Sequence, residues 1–345
     1  MKKHLIAAAV AAAVAVPAAA QVTLSGRIDQ SFGSFKSGST SENVVNSNVG
    51  ATSRLTFSGS EDLGGGLRAE FFLENGVTPD ANAALSQFSR ESYIGVSGGF
   101  GRLQIGKVTG WSADIDVFVN ATGKLGGMNN GLAKAQSATA MDGLGDSANN
   151  SIAYTSPSFS GLQIQVQRAQ GEKQGAATGD QTGITARFTR GPLRVSAGST
   201  TTKGAVGADQ KQQGLGIGYN MGVAKFGYFY GTYDPSKTVA NDEREYSLVT
   251  VGVPLGAVTL YGAHHASETE NRANEEAKAF VLGAEYGLSK RTGFYVEYAK
   301  VDNKGSAANL IMSGMNAGSG TGVVGNSTTA GTDARLISAG FRHFF

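Results

Sequence analysis

Cysteine is absent from this 345-residue chain, and proline (6 residues) and tryptophan (1 residue) are scarce. The lack of cysteine excludes disulfide bonds, thiol chemistry and cysteine-based metal sites. After residue 20, no stretch approaches the roughly 18 consecutive apolar residues that a membrane-spanning helix requires. A helical membrane protein is therefore excluded, and the fold must be held by backbone pairing and packing.

Residues 1–20 have the organisation of a secretory signal peptide. Lys2 and Lys3 precede an apolar run over 5–16, and a proline and small residues follow. This order predicts export from the cytoplasm with cleavage before Gln21. The rest of the chain is expected to form one domain.

Neither sign of charge is in excess in that domain, 21–345. The chain has 29 Lys and Arg against 27 Asp and Glu, and two of the lysines lie in the signal peptide, which leaves 27 against 27. This balance gives no support to a nucleic-acid partner. Histidine is rare, and the adjacent His264 and His265 would point to opposite faces of a strand, so they cannot share one site. Neither an enzyme nor a cofactor or metal site is expected.

Glycine is abundant, with 50 residues, and the chain also has 17 Phe and 11 Tyr, which is typical of tight turns and aromatic strands. Val22 and Leu24 alternate with Thr23 and Ser25, so a strand here has one apolar and one polar face. The same alternation recurs over 54–59, 67–71, 162–167, 184–188, 193–197, 224–228 and 294–298. Alternation alone fits either a water-soluble sandwich or a membrane barrel.

The lengths of the connections favour the barrel. Short, turn-forming connections are predicted at 61–66, 98–101, 156–161, 191–192, 220–222, 254–256 and 288–291. They alternate with longer polar connections near 76–87, 108–149, 171–181, 203–213, 234–244, 267–275 and 304–332. Short turns at one end and long loops at the other are typical of outer-membrane barrels. The sequence therefore predicts an all-β fold, a transmembrane antiparallel β-barrel of roughly sixteen strands, which is wide enough to leave an aqueous channel.

Two parts of the chain stand out within this pattern. The interval 108–149 runs for about 40 residues without a sustained apolar period, and loops of that length are usually functional or disordered. At the other end, Phe341, His343 and Phe345 share one face of the last strand. An unpaired aromatic edge would invite aggregation, so this strand is expected to close on the strand that begins at Val22. The terminal Phe also looks like the signal that outer-membrane assembly machinery reads.

Several segments resemble the general diffusion porins of beta-proteobacteria. They are 53–66 (SRLTFSGSEDLGGG), 90–106 (RESYIGVSGGFGRLQIG), 156–162 (SPSFSGL) and 341–345 (FRHFF). The resemblance covers essentially all of 21–345. It implies a trimeric, 16-stranded barrel in the outer membrane, in contact with lipid and lipopolysaccharide. It also implies that the third extracellular loop folds inward to narrow the pore, and 108–149 occupies that position.

Basic residues on the polar parity of their strands are expected to face the lumen: Arg27, Arg54, Arg68, Arg187, Arg194, Lys225 and Arg342. We expect the first three to form one basic wall at the constriction, joined by Arg90 and Lys107. Strict alternation would point Lys107 to lipid, where a basic side chain is costly, so the lumen is favoured. The loop offers Asp114, Asp116 and Lys124 opposite this wall. A transverse field between the two sides would orient polar solutes and favour anions.

Three alternatives remain open. The arginines could pair with lumenal acids such as Asp29, Glu70 and Glu74 and so give no selectivity. A substrate-specific channel would instead show a continuous aromatic or basic ladder along the lumen. A structural or adhesive barrel would have a blocked lumen. The favoured function is passive diffusion of small hydrophilic solutes and ions.

Overall fold

The computed structural model describes residues 21–47, 49–80, 88, 90–110, 147–172, 179–204, 209–235, 243–269, 275–305 and 330–345. These residues contain seventeen strands: β1 (Gln21–Ser37), β2 (Thr40–Ser47), β3 (Arg54–Gly64), β4 (Leu67–Gly76), β5 (Ser92–Gly98), β6 (Gly101–Thr109), β7 (Ser147–Thr155), β8 (Leu162–Ala169), β9 (Gln181–Arg190), β10 (Leu193–Thr202), β11 (Gln210–Asn220), β12 (Lys225–Asp234), β13 (Arg244–Leu255), β14 (Val258–Thr269), β15 (Glu276–Gly287), β16 (Thr292–Lys304) and β17 (Ala334–Phe344). No helix in these ranges is long and apolar enough to cross a membrane. The prediction of an all-β fold is confirmed.

All seventeen strands belong to one antiparallel sheet that closes on itself. β1 pairs with β17 from Arg27 opposite Phe344 to Ser37 opposite Ala334, as the sequence predicted. The other edge of β1 is shared, because β2 pairs with its second half and β3 with its first half. β2 and β3 therefore occupy one position in the wall, and the seventeen strands form a 16-stranded barrel. The break in this second wall strand was not predicted.

The two faces of the barrel differ as the alternation predicted. On β17, Ile337 and Phe341 are 59% and 57% exposed, whereas Leu336 and Arg342 on the other parity are 1% and 4% exposed. An outward band of apolar side chains around a polar interior is the pattern of a barrel embedded in lipid. The inner face carries charged residues such as Asp29, Glu74 and Arg342.

Tyrosine rings on the inner face lie across glycines of the neighbouring strand. A Cβ atom at any of these glycines would clash with the ring that covers it. The pairs are Tyr246 over Gly231, Tyr261 over Gly283 and Tyr295 over Gly340. Glycine at these positions allows each ring to run along the wall, and packing against the ring compensates for the glycine's missing side chain.

The predicted difference between the two barrel ends is confirmed, with one exception. The connections at 65–66, 99–100, 191–192 and 256–257 are two-residue turns at the short-turn end. At the long-loop end, however, β1 and β2 are joined by residues 38–39 alone, where Gly38 has a φ of 55°. The positive φ suits a tight turn and requires little strain because glycine has no Cβ.

The predicted loop 108–149 is shorter than expected at both ends. β6 continues through Thr109 and β7 begins at Ser147, because Val108 and Thr109 stay in register with Ala148 and Ser147. The ladder continues past a register shift between Gly106 and Val108, and local alternation does not reveal such irregularities. Residues 111–146 lie outside the described part of the chain, and so does the predicted inward fold of this loop.

The closing seam of the barrel depends on Gly26. Its backbone N–H donates to the carbonyl oxygen of Phe345 at 3.1 Å, and the Phe345 N–H donates back to the Gly26 carbonyl oxygen at 3.1 Å. A Cβ at Gly26 would clash with the Arg54 carbonyl oxygen and lie 2.6 Å from the Phe345 ring. These contacts leave no room for a larger residue.

We therefore expect Gly26→Ala to lower the free energy of unfolding by about 1–3 kcal/mol, the usual cost of overpacking. Denaturant unfolding of the refolded barrel measures this change. Gly99→Ala is the matched control, because a Cβ at Gly99 would meet nothing within 4 Å. Equal stability of the two variants would show that the seam tolerates a side chain at Gly26.

Candidate functional site

Two arginines face each other on the inner wall where β1 meets β3. Arg27 and Arg54 are register partners, and Arg27 shares its face with the buried Asp29. The Arg27 Nε–H donates to the Thr52 carbonyl oxygen at 2.6 Å. Adjacent strands therefore place two like charges at one height in the lumen.

A single carboxylate links Arg54 to a third arginine. Glu74 Oε1 accepts from Arg54 Nη1 at 3.1 Å and from Arg90 Nε at 2.7 Å. Its other oxygen, Oε2, accepts from the Thr56 hydroxyl at 3.0 Å. Arg27 interacts electrostatically with Arg54, Arg90 and Glu74. We call Arg27, Arg54 and Arg90 the basic cluster. Arg54 and Arg90 pair with Glu74, and Arg27 interacts electrostatically with Asp29, so three guanidinium groups lie near two carboxylates among the described residues.

Arg68 does not belong to this cluster, contrary to the predicted wall of Arg27, Arg54 and Arg68. Its register partner is Asp62, which is eight residues along β3 from Arg54. At about 3.3 Å per residue, that separation is roughly 26 Å along the strand. Arg68 lies on the predicted face but near the short-turn end of the barrel, where its side chain is exposed. The alternation of side chains along the strand predicts the face on which Arg68 lies. It does not predict the position of Arg68 along the barrel axis.

Lys107 lies next to an irregular part of β6. It is the register partner of Ser92, one residue after Gly106, whose φ is 140°. Leu103 and Ile105, on the same parity, are exposed on the outer face, and Lys107 is half-buried. The lumenal orientation of Lys107 stays a prediction.

The end of β6 is fixed by an acid from the segment before β5. Glu91 Oε1 accepts from the backbone N–H of Thr109 at 3.2 Å. Burial raises the pKa of the Glu91 carboxyl above its ordinary value. Glu91 thus anchors the chain at the point where it enters the segment 111–146.

A second basic group lies on the inner face of β6 and β9. Arg102 Nη1 is 3.7 Å from Glu70 Oε1, and Arg187 Nη2 donates to Gln165 Oε1 at 3.0 Å. Arg102 and Arg187 also interact electrostatically. Arg102 was missed in the sequence, although its alternation with Leu103 carried the same signal that identified the others.

Arg342 faces inward, as predicted, but it is part of the wall. It is 4% exposed, its Nη2 forms an ion pair with Glu285 Oε2, and its guanidinium lies 5.3 Å from the centre of the Phe344 ring. Its register partner is Asp29. This packing points to a role in stability, since passing solutes have little access to the side chain.

The remaining predicted site residues fall into three groups. Arg194 and Lys225 are exposed near the short-turn end, at the beginnings of β10 and β12. Phe341, His343 and Phe345 are exposed on the outer parity of the last strand. Asp114, Asp116 and Lys124 lie outside the described residues. The structure thus brings together Arg27, Arg54 and Arg90 from the predicted set.

A closed antiparallel barrel with an apolar outer face and a charged inner face defines an outer-membrane channel protein. The comparisons with known proteins agree with this class. The model of the Gram-negative porin family matches residues 7–306, and the chain belongs to that family. It is an outer-membrane protein that forms a channel for the diffusion of small hydrophilic solutes.

Individual relatives cover nearly the whole chain. Outer membrane porin protein 32 of Delftia acidovorans is 32% identical over 100% of this chain and 100% of its own length. An outer membrane porin protein of Bordetella pertussis is 28% identical over 87% of this chain and 94% of its own. The solved structure of an anion-selective porin from Comamonas acidovorans has a TM-score of 0.82 and 27% identity, over 94% of this chain and 100% of that one.

Proposed function

We propose that the channel prefers anions and that the basic cluster sets this preference. The observation that carries the proposal is the excess of arginines at one height of the inner wall, where Arg27, Arg54 and Arg90 lie near the carboxylates of Glu74 and Asp29. Charged side chains at a narrow point select ions because every solute passes close to them. The porin from Comamonas acidovorans is described as anion-selective, which agrees with the preference proposed for this channel.

Ion pairing within the wall does not cancel this charge. Glu74 is shared by Arg54 and Arg90, and Arg27 interacts with the Asp29 carboxylate, so two negative charges offset three positive ones. The alternative in which lumenal arginines are neutralised by lumenal acids applies better to Arg342, which pairs with Glu285. The basic cluster therefore retains a net positive field in the lumen.

Planar-bilayer recording of the refolded wild-type protein tests the channel itself. A general diffusion channel should give stepwise current increments that grow with salt concentration and do not saturate with any single solute. Saturation at micromolar concentrations of one solute would favour a substrate-specific channel. Absence of current steps would favour a barrel with a blocked lumen and would contradict the proposal.

Glu74→Gln is expected to increase the anion preference. The substitution removes the one negative charge that Arg54 and Arg90 share, while the amide oxygen can still accept a hydrogen bond from Thr56. The anion-over-cation permeability ratio, obtained from the reversal potential, should rise by roughly twofold to tenfold. This range corresponds to about 0.4–1.4 kcal/mol less repulsion between the Glu74 carboxylate and a passing anion.

Glu70→Gln is the control for this prediction. Glu70 lies 3.7 Å from Arg102, on the same strand as Glu74 but nearer the short-turn end. The same charge change at that height should move the permeability ratio less. A larger effect of the Glu70 substitution would show that selectivity is set near Glu70 and not at the basic cluster.

The wider assembly follows the family resemblance. We propose a homotrimer in contact with outer-membrane lipid and lipopolysaccharide, and delivery by assembly machinery that reads Phe341, His343 and Phe345. The loop residues Asp114, Asp116 and Lys124 are proposed to face the basic cluster, and no enzymatic activity is proposed. Cross-linking of the protein in native outer membranes tests the trimer, which a purely monomeric product would contradict.

A further inference from the structure

We propose that residues 49–53 form an element that narrows the pore. Tyr295 and Asp29 hold this element in place, and it in turn orients Arg27. The inference deepens the proposed function, on which its selectivity part rests. Tyr295 and Asp29 are then positioning residues, because they affect ion passage indirectly, by holding the main chain of 49–53. We call 49–53 the inner bulge.

The pairing of β1 shows that the chain leaves the wall at this point. Ser47 is the register partner of Gln30, and Arg54 is the register partner of Arg27. Two residues separate Arg27 from Gln30 on β1, whereas six separate their register partners Ser47 and Arg54. An ordinary bulge adds one residue to a strand, so this excursion is too long to remain within the sheet.

Burial shows that the excursion is directed inward. Val49 has no exposed surface and belongs to a buried apolar cluster with Phe35, Tyr295 and Leu336, all on the inner parity of their strands. Gly50, Ala51, Thr52 and Ser53 are buried as well. Outward-facing neighbours such as Phe32, in contrast, are exposed. The inner bulge therefore occupies part of the lumen.

A three-way junction fixes the middle of the inner bulge. The Tyr295 hydroxyl donates to Asp29 Oδ1 at 2.8 Å. The backbone N–H of Gly50 lies 3.1 Å from the same carboxylate oxygen and 3.1 Å from the Tyr295 hydroxyl oxygen. A Cβ at Gly50 would be 2.7 Å from Asp29 Oδ2 and 2.8 Å from Tyr295 Cε1, so only glycine fits. The tyrosine ring itself is supported by Gly340 beneath it.

Both flanks of the inner bulge are also tied to the barrel. The Ser53 hydroxyl accepts from the backbone N–H of Asp29 at 2.9 Å, and the Ser53 carbonyl oxygen accepts from the Val77 N–H at 3.0 Å. On the other side, the backbone N–H of Ser47 donates to Asp80 Oδ2 at 3.1 Å. The excursion is thus a defined piece of structure with a specific set of partners.

The inner bulge reaches the basic cluster through one hydrogen bond. The Thr52 carbonyl oxygen accepts from Arg27 Nε at 2.6 Å, which orients the guanidinium at the height of Arg54. Any displacement of the bulge moves this acceptor. Tyr295, on β16, can therefore influence the field at the basic cluster without itself carrying charge.

Tyr295→Phe tests the proposal with the loss of a single oxygen atom. The ring stays over Gly340, but Asp29 and Gly50 lose their shared partner. We expect single-channel conductance to rise and the anion-over-cation permeability ratio to fall by roughly twofold to tenfold, because the Thr52 carbonyl that orients Arg27 is displaced. Gly50→Ala, which pushes against the same junction, should shift both quantities as well.

Tyr246→Phe is the matched control. Its ring also lies over a glycine, Gly231, and its hydroxyl accepts from Gln212 Nε2 at 2.9 Å, but it has no contact with the inner bulge. The control should keep wild-type conductance and permeability ratio. A purely structural role of Tyr295 would lower stability in denaturant unfolding and leave both electrical quantities unchanged.

The outcomes separate the inference from the proposed function. Higher conductance in Tyr295→Phe alone supports the narrowing role, even if the wild-type channel shows no anion preference and the proposed function fails. An anion-selective wild type with unchanged conductance and permeability ratio in Tyr295→Phe would overturn the inference and leave the proposed function intact. Equal shifts in Tyr295→Phe and Tyr246→Phe would also overturn it, since they would reflect a general softening of the wall.

Discussion

Replacing Arg27, Arg54 and Arg90 together with serine is expected to lower the anion-over-cation permeability ratio by at least tenfold. A unit charge about 4 Å from a passing ion contributes about 1 kcal/mol in bulk water and about 4 kcal/mol near a protein surface. Each change of about 1.4 kcal/mol corresponds to a tenfold change in the ratio. With the arginines removed, the carboxylates of Glu74 and Asp29 remain in this part of the wall, so the channel should become cation-preferring.

The matched control removes the same number of charges from another height. Arg68, Arg194 and Lys225 are exposed near the short-turn end, and their replacement by serine changes the net charge equally. Because counterions screen charges in wide, wet regions, this variant should retain most of the anion preference. If both triple variants lose it equally, the total lumenal charge sets selectivity and the basic cluster has no special role.

The second large effect concerns stability. Arg342→Met should lower the free energy of unfolding by about 3–5 kcal/mol, since it removes the guanidinium that pairs with the buried Glu285 carboxylate. The side chains of the pair are 4% and 10% exposed, so water gives little compensation. Urea unfolding of the protein refolded in lipid vesicles measures the loss.

The double variant Arg342→Met with Glu285→Gln tests whether the lower stability results from the loss of the charge pair or from the loss of packing. Removing both charges of a buried pair is often close to neutral, so most of the lost stability should return. A double variant as unstable as the single one would show that Arg342 acts through packing, for example against Phe344, and not through its charge.

The strand pattern was predictable because membrane barrels impose a strict two-residue period on every strand. The alternation of Val22 and Leu24 with polar neighbours and the paired short and long connections were enough for the class, the strand number and the closure at Phe345. These features depend on local sequence, and local sequence determines which face each side chain takes.

Height along the barrel was not predictable in the same way. Arg54 and Arg68 have the same parity, yet the register of β3 and β4 separates them by eight residues. Arg90 lies outside any strand, and it reaches the basic cluster through the Glu74 side chain. Such neighbours are set by strand stagger, which is a property of the closed barrel.

The position of the inner bulge could not be predicted from the sequence for a different reason. Residues 49–53 read VGATS, a composition that suits an ordinary turn and does not indicate that the segment lies in the lumen. Its position follows from partners distant in sequence, above all Tyr295, which is 245 residues away from Gly50. Only the assembled barrel brings these residues together.

The reversal potential of the wild-type channel across a KCl gradient tests the central claim most directly. The measurement reports the sign of the dominant permeating ion, and the two ions of KCl have nearly equal mobility in water. With three guanidinium groups near the carboxylates of Glu74 and Asp29, we expect a potential shifted toward the chloride equilibrium value. A potential at zero, or shifted toward the potassium value, would contradict it.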